Sequence, residues 1–223
     1  MKTTTTARTT ETRTGRSRPA GLVAALLLLC GLAGGVLWAL SPLGVALSEF
    51  AFRTPNVFWR LFFTAPALMV FGLLGLYLAL RREIGRAGTV GVALAGLGGL
   101  AVVAGDLGLY HLGLDDLYLI SAPAYRTFRA GLLALCLGCL VLGAASASDR
   151  RLPLWAFLPL AVGALAGLIS VLRDFGAIGA AMWVFFGASF SLCCAVVLVG
   201  VLRDRGRSGK NPKNTPAPDE PSR

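Results

Sequence analysis

Residues 61–80 read LFFTAPALMVFGLLGLYLAL, residues 81–86 read RREIGR, and residues 87–105 read AGTVGVALAGLGGLAVVAG. Two charge-free runs, of 20 and 19 residues, meet at a short basic turn. A charge-free stretch of about 18 or more residues is long enough to cross the ~30 Å hydrocarbon core of a bilayer as an α-helix. In lipid, a helix lets one crossing segment satisfy all of its own backbone donors and acceptors. The stretch reads as a transmembrane hairpin, and it sets the solvent for the rest of the chain.

Working outward, the same pattern returns at 20–41, 130–148, 152–172 and 177–201. The chain of 223 residues is 56% hydrophobic and only 14% charged, against about 25% charged in soluble domains. The expected fold is all-α: a polytopic transmembrane helical bundle of six spans (20–41, 61–80, 87–105, 130–148, 152–172 and 177–201). The membrane domain occupies 20–202, between a Thr- and Arg-rich tail at 1–19 and a Pro-rich charged tail at 203–223. Both tails lack the aliphatic residues needed to build a core and are expected to be disordered. The apolar core of a secretory signal peptide runs about 7–15 residues. Residues 20–41 exceed that and read as a retained span, with cleavage after Ala46-Leu47-Ser48 as the alternative.

The formal net charge is +10. In a soluble protein such a balance points to nucleic acid; here the charges flank span ends, and no nucleic-acid partner is expected. Cytoplasmic loops of membrane proteins carry an excess of Lys and Arg. With both termini inside, sixteen Lys and Arg fall on the cytoplasmic side, including Arg81, Arg82, Arg86, Arg150 and Arg151. Five fall outside: Arg53, Arg60, Arg126, Arg129 and Arg173. Cytoplasmic N- and C-termini follow. The outer connections are 42–60, bounded by Pro42, and 106–129. Pro159 is expected to kink the fifth span.

Lipid tails are as apolar as leucine, so spans associate where small residues let backbones approach. Span three offers Ala87, Gly91, Ala95 and Gly99 at four-residue spacing, span four Ala130, Ala134 and Gly138, span one Gly31 and Gly35, and span five Gly163 and Gly167. These seams serve packing within one bundle or, alternatively, homodimerisation.

Chemistry-bearing residues are few. Cys136 and Cys139 form a Cys-x-x-Cys pair, a spacing that can cycle between dithiol and disulfide. They lie within an apolar run, where thiols are inert fillers. Cys193 and Cys194 are adjacent and so point to different helix faces. His111 is the sole histidine and shares its loop with Asp106, Asp115 and Asp116. If 106–117 is helical, His111 and Asp115 share a face and form a weak divalent-metal site; an interfacial segment rich in Leu and Tyr is the alternative. No Asp, Glu, Lys, Arg or His stands in the middle of a span, whereas intramembrane charges mark proton relays and ion paths. The sequence carries no recognisable catalytic elbow, zinc-protease motif or phosphate loop, and no cofactor is expected.

Gly75-Leu76-Tyr77 through Arg81, Gly85-Arg86-Ala87-Gly88 and Arg151-Leu152-Pro153-Leu154-Trp155 together resemble a broad group of small, functionally uncharacterised six-span bacterial membrane proteins. The resemblance covers about the central half of the chain and implies a bacterial inner-membrane location; it implies no activity. The expected function is that of a non-enzymatic accessory or scaffold subunit, with lipid and other membrane proteins or a second copy as partners. The alternatives are a small permease for an apolar or lipid-like substrate and a membrane thiol oxidoreductase using Cys136 and Cys139.

Overall fold

In a computed structural model, the described residues are 18–50, 56–111, 123–148, 153–173 and 177–209. They form six α-helices: α1 (Arg18–Phe50), α2 (Asn56–Leu80), α3 (Gly85–Asp106), α4 (Pro123–Ser148), α5 (Leu154–Leu172) and α6 (Ala177–Gly209). A π-helical turn, Leu107–His111, continues α3. Among the described residues there is no strand. All six helices are long and apolar enough to span a membrane. The protein is an all-helical, multi-pass membrane protein.

The helix ends differ from those expected. α1 continues through Pro42 to Phe50, and α2 begins at Asn56, so most of the expected 42–60 loop is helix. Proline deletes one backbone bond, here the one to the Trp38 carbonyl. Membrane helices tolerate that loss because neighbouring helices and polar side chains re-satisfy the freed groups. Pro66 and Pro159 likewise lie inside α2 and α5. α6 extends to Gly209, into the expected tail, since charged residues can leave the hydrocarbon without leaving the helix. Residues 1–17 and 210–223 lie outside the described residues, as do Arg150, Arg151, Asp115 and Asp116.

The RREIGR turn is tight. The Glu83 and Ile84 amides both donate to the Leu80 carbonyl, at 2.7 and 3.1 Å. Gly85 reverses the chain with φ +59°, a left-handed conformation that costs a side-chain-bearing residue about 1–2 kcal/mol.

The helices close a ring in chain order, each packing on its neighbours, and α6 returns to α1. α2, α4 and α6 bury half of their apolar windows, while α1, α3 and α5 bury 33–39%. The even-numbered helices are therefore the more covered members of the ring.

The tightest seam joins α3 to α4. Gly91, Ala95, Gly98, Val102 and Gly105 line it from α3, alternating steps of four and three. That heptad-like spacing keeps a face turned toward its partner. Steps of four overshoot a full turn by about 40° each, so the expected Ala87–Gly99 stripe does not stay on one face. Ala87 is exposed, and Gly99 turns to Val70 of α2. A β-carbon on Gly138 would lie 2.6 Å from the Gly91 carbonyl oxygen, and one on Gly105 would lie 2.5 Å from the Phe128 nitrogen. In α1, Gly31 faces Gly72 of α2, while Gly35 faces Gly187 and Ser191 of α6. Ser191 Oγ donates to the Leu32 carbonyl at 3.0 Å across the α1–α6 joint. Gly163 meets Phe186 and Ser189 of α6, and Gly167 meets Cys136 and Trp183.

Candidate functional site

One end of the bundle gathers the 81–84 turn, the start of α5 and the last turns of α6 around a single cleft. The start of α1 is at this end too: a β-carbon on Gly21 would come 3.0 Å from Arg205 Nε. The opposite end carries Arg129, whose guanidinium donates to the Val171 carbonyl at 3.0 Å. A cation there satisfies an otherwise open carbonyl in the last turn of α5 and complements the helix dipole.

The cleft exists because α5 packs along α6 while α2 only touches α6 and does not pack closely on α5. Where they part, α6 presents Ala195 and Gly200, and small side chains leave a trough. Its volume is about 550 Å³, inside the range of roughly 300–1,000 Å³ typical of ligand pockets. Ala79 and Leu80 line it from α2, Pro153 and Trp155 from the start of α5, and Val196 and Gly200 from α6. The trough opens sideways: Trp155 is 62% exposed and Val199 46% exposed, on stretches (154–172 of α5 and 177–202 of α6) whose other exposed residues are also apolar. Glu83, Arg203 and Asp204 stand at the rim, all three exposed. An apolar trough capped by mixed charge can hold an amphiphile, and it presents no nucleophile to attack one.

The cysteines lie elsewhere. Cys136, Cys139, Cys193 and Cys194 are all fully buried and all are free thiols. Cys136 Sγ would sit 3.0 Å from a β-carbon on Gly167, and Cys194 Sγ 2.9 Å from one on Gly31, so both sulfurs pack directly against helix backbones. Cys139, Cys193 and Cys194 belong to the main hydrophobic core. Among the described residues no group of three or more His, Cys, Asp or Glu is arranged to hold a metal ion.

The expected outer-loop site is only partly within the described residues. His111 ends the π-helical turn, and Asp115 lies outside. Asp106, read from the sequence as a loop residue, is the last residue of α3 and is fully buried. The helix carries on because Leu107 and Leu109 extend its apolar character, and the start of α4 covers this end, with Phe128 on Gly105 and Ala124 on Gly108.

Two features escaped the sequence reading. The cleft rim was visible there only as span-flanking charge. The second is an aromatic cluster joining α1 and α6: Trp38, Trp183 and Phe186 meet edge to face, with centroids 5.6 to 6.3 Å apart. Such contacts add about 0.5–1.5 kcal/mol per pair beyond area burial and lock the ring where its last helix meets its first.

No protein-family model, no curated protein and no solved structure matches the chain.

Proposed function

We propose that this protein is a non-enzymatic bundle of a bacterial inner membrane, an accessory or scaffold subunit that works through its perimeter. The observation carrying this reading is the filled interior. Trp38, Met69, Leu73, Leu135, Phe157, Phe186 and Phe190 are all buried to within 1%, and they come from five of the six helices. Interiors packed in this way transmit force and hold shape. Arg81, Arg82, Arg203 and Arg205 stand at the cleft end. They belong to the set of sixteen Lys and Arg, against five, that the sequence assigns to the cytoplasmic side, which supports an orientation with that end in the cytoplasm. The bacterial setting rests on the resemblance of the central half of the chain to small six-span bacterial proteins.

A specific observation favours a second reading. The lateral cleft is apolar, opens toward lipid and carries charge only at its rim, as the entry site of a permease for lipid-like molecules would. Reconstitution into sealed vesicles separates the two. The scaffold reading expects no movement of ions, small polar solutes, fluorescent phospholipids or hydrophobic dyes above protein-free vesicles. Saturable flux that a single substitution in the cleft abolishes would overturn it and establish the permease.

A further inference from the structure

We infer that the cleft between α2, α5 and α6 is a binding site for one phospholipid, and that its rim selects a zwitterionic headgroup bearing a primary amine. The inference holds under either reading of the bundle's function.

The occupant's tail follows from the trough. A void flanked by Leu80, Val196 and Trp155 that opens on a bilayer cannot stay empty, because its lining forfeits dispersion contacts that an acyl chain supplies. Water is a poor filler, since the lining offers it few polar partners. Gly200 leaves the α6 side of the trough open, with nothing within 4 Å of the place where its β-carbon would stand.

The headgroup follows from the rim. Glu83 leaves the α2–α3 turn, and Arg203 and Asp204 are successive residues of α6, so cation and carboxylates border the same opening. All three are solvent-exposed, and among the described residues their side chains make no hydrogen bond or ion pair. A phosphate diester is met by a guanidinium, which offers forked donors. An ammonium placed beyond the phosphate is met by carboxylates. Among the described residues, then, one cation and two carboxylates border the opening, and they match a phosphate followed by a primary amine. A net-anionic headgroup would bring its charge against Glu83 and Asp204. A trimethylated amine has no N–H to donate and forfeits both carboxylate hydrogen bonds. The depth is consistent: the exposed residues of α6 are apolar as far as Leu202 and charged at Arg203 and Asp204, as expected of a helix that leaves the hydrocarbon at the rim.

The test uses the full-length protein in nanodiscs of equimolar phosphatidylethanolamine, phosphatidylcholine and phosphatidylglycerol, released into native mass spectrometry. One retained phospholipid per chain is expected, with phosphatidylethanolamine favoured roughly fivefold, as fits exposed charge pairs of modest strength. The double substitution Glu83→Gln and Asp204→Asn should reduce that preference to near parity while lipid is still retained. Gly200→Leu, which fills the trough without meeting a neighbour at its β-carbon, should remove the retained lipid altogether. Retention that survives Gly200→Leu overturns the site. A preference for phosphatidylglycerol or phosphatidylcholine, or one for phosphatidylethanolamine that the double substitution leaves unchanged, overturns the headgroup assignment.

Discussion

Replacing Gly138 with alanine should loosen the α3–α4 seam more than any chemically equal change on an open face. The new methyl would stand 2.6 Å from the Gly91 carbonyl oxygen and 2.7 Å from Ala95 Cα, where ordinary contact begins at 3.4 Å. The atoms it meets belong to the backbone of α3, not to the tip of a flexible side chain, so the helices themselves must part by the better part of an ångström. Overpacking of this kind costs about 1–3 kcal/mol. Transmembrane helices hold their backbone bonds within themselves, so differences in helix propensity largely cancel between packed and separated spans. Gly96→Ala is the matched control: it changes the same helix pair by the same atoms, yet nothing lies within 4 Å of its β-carbon position. It should stay within about 0.5 kcal/mol of the parent, as surface changes do. Unfolding by SDS titration in mixed micelles, followed by loss of helix-packing fluorescence, reads both. Gly138→Ala as stable as the parent, or Gly96→Ala equally destabilised, would refute the assigned seam.

Three further outcomes can be measured on the same preparation. Gly85→Ala meets no neighbour but must hold φ near +59°, so it should cost about 1–2 kcal/mol in the same titration, a loss that Gly85→Asn partly avoids. Arg129→Met removes the bond to the Val171 carbonyl and should lower stability by about 0.5–1.5 kcal/mol, seen as a lower midpoint; an unchanged midpoint would show that the contact contributes nothing. Cys136, Cys139, Cys193 and Cys194, all fully buried, should resist a lipid-soluble maleimide in the folded protein and react once SDS separates the helices. Labelling of the Cys-x-x-Cys pair in the native bilayer would instead revive the thiol oxidoreductase reading.

How much the sequence discloses depends on the range of the interaction involved. Charge-free runs such as 61–80 and 87–105 declare themselves because solvent alone decides them. Pro42 misleads because its ordinary role as a helix stop depends on water being there to take up freed backbone groups; the helix runs through it to Phe50. The small residues of α3 mark a seam, but a spacing of four hides its real course. Gly91, Ala95, Gly98 and Gly105 face α4, while Gly99 faces α2, a division set by how two partners share one helix. Asp106 reads as a loop residue because an acid after an apolar run usually ends a span; the packing of Phe128 and Ala124 that covers this end comes from a helix about twenty residues further on. The cleft was the least legible feature. It arises where α2 and α5 fail to meet, and no local pattern encodes a contact that two helices do not make.

The proposed orientation of the six-helix ring, with the cleft rim on the cytoplasmic side, is tested most directly by labelling intact cells with a membrane-impermeant maleimide. Arg82→Cys samples the turn beside the cleft and Thr127→Cys the opposite end; both positions are exposed, and the four core thiols are buried. Thr127→Cys should label from outside, and Arg82→Cys only after the membrane is opened. Labelling of Arg82→Cys from outside, or of both positions from the same side, would contradict the six-span arrangement and its orientation.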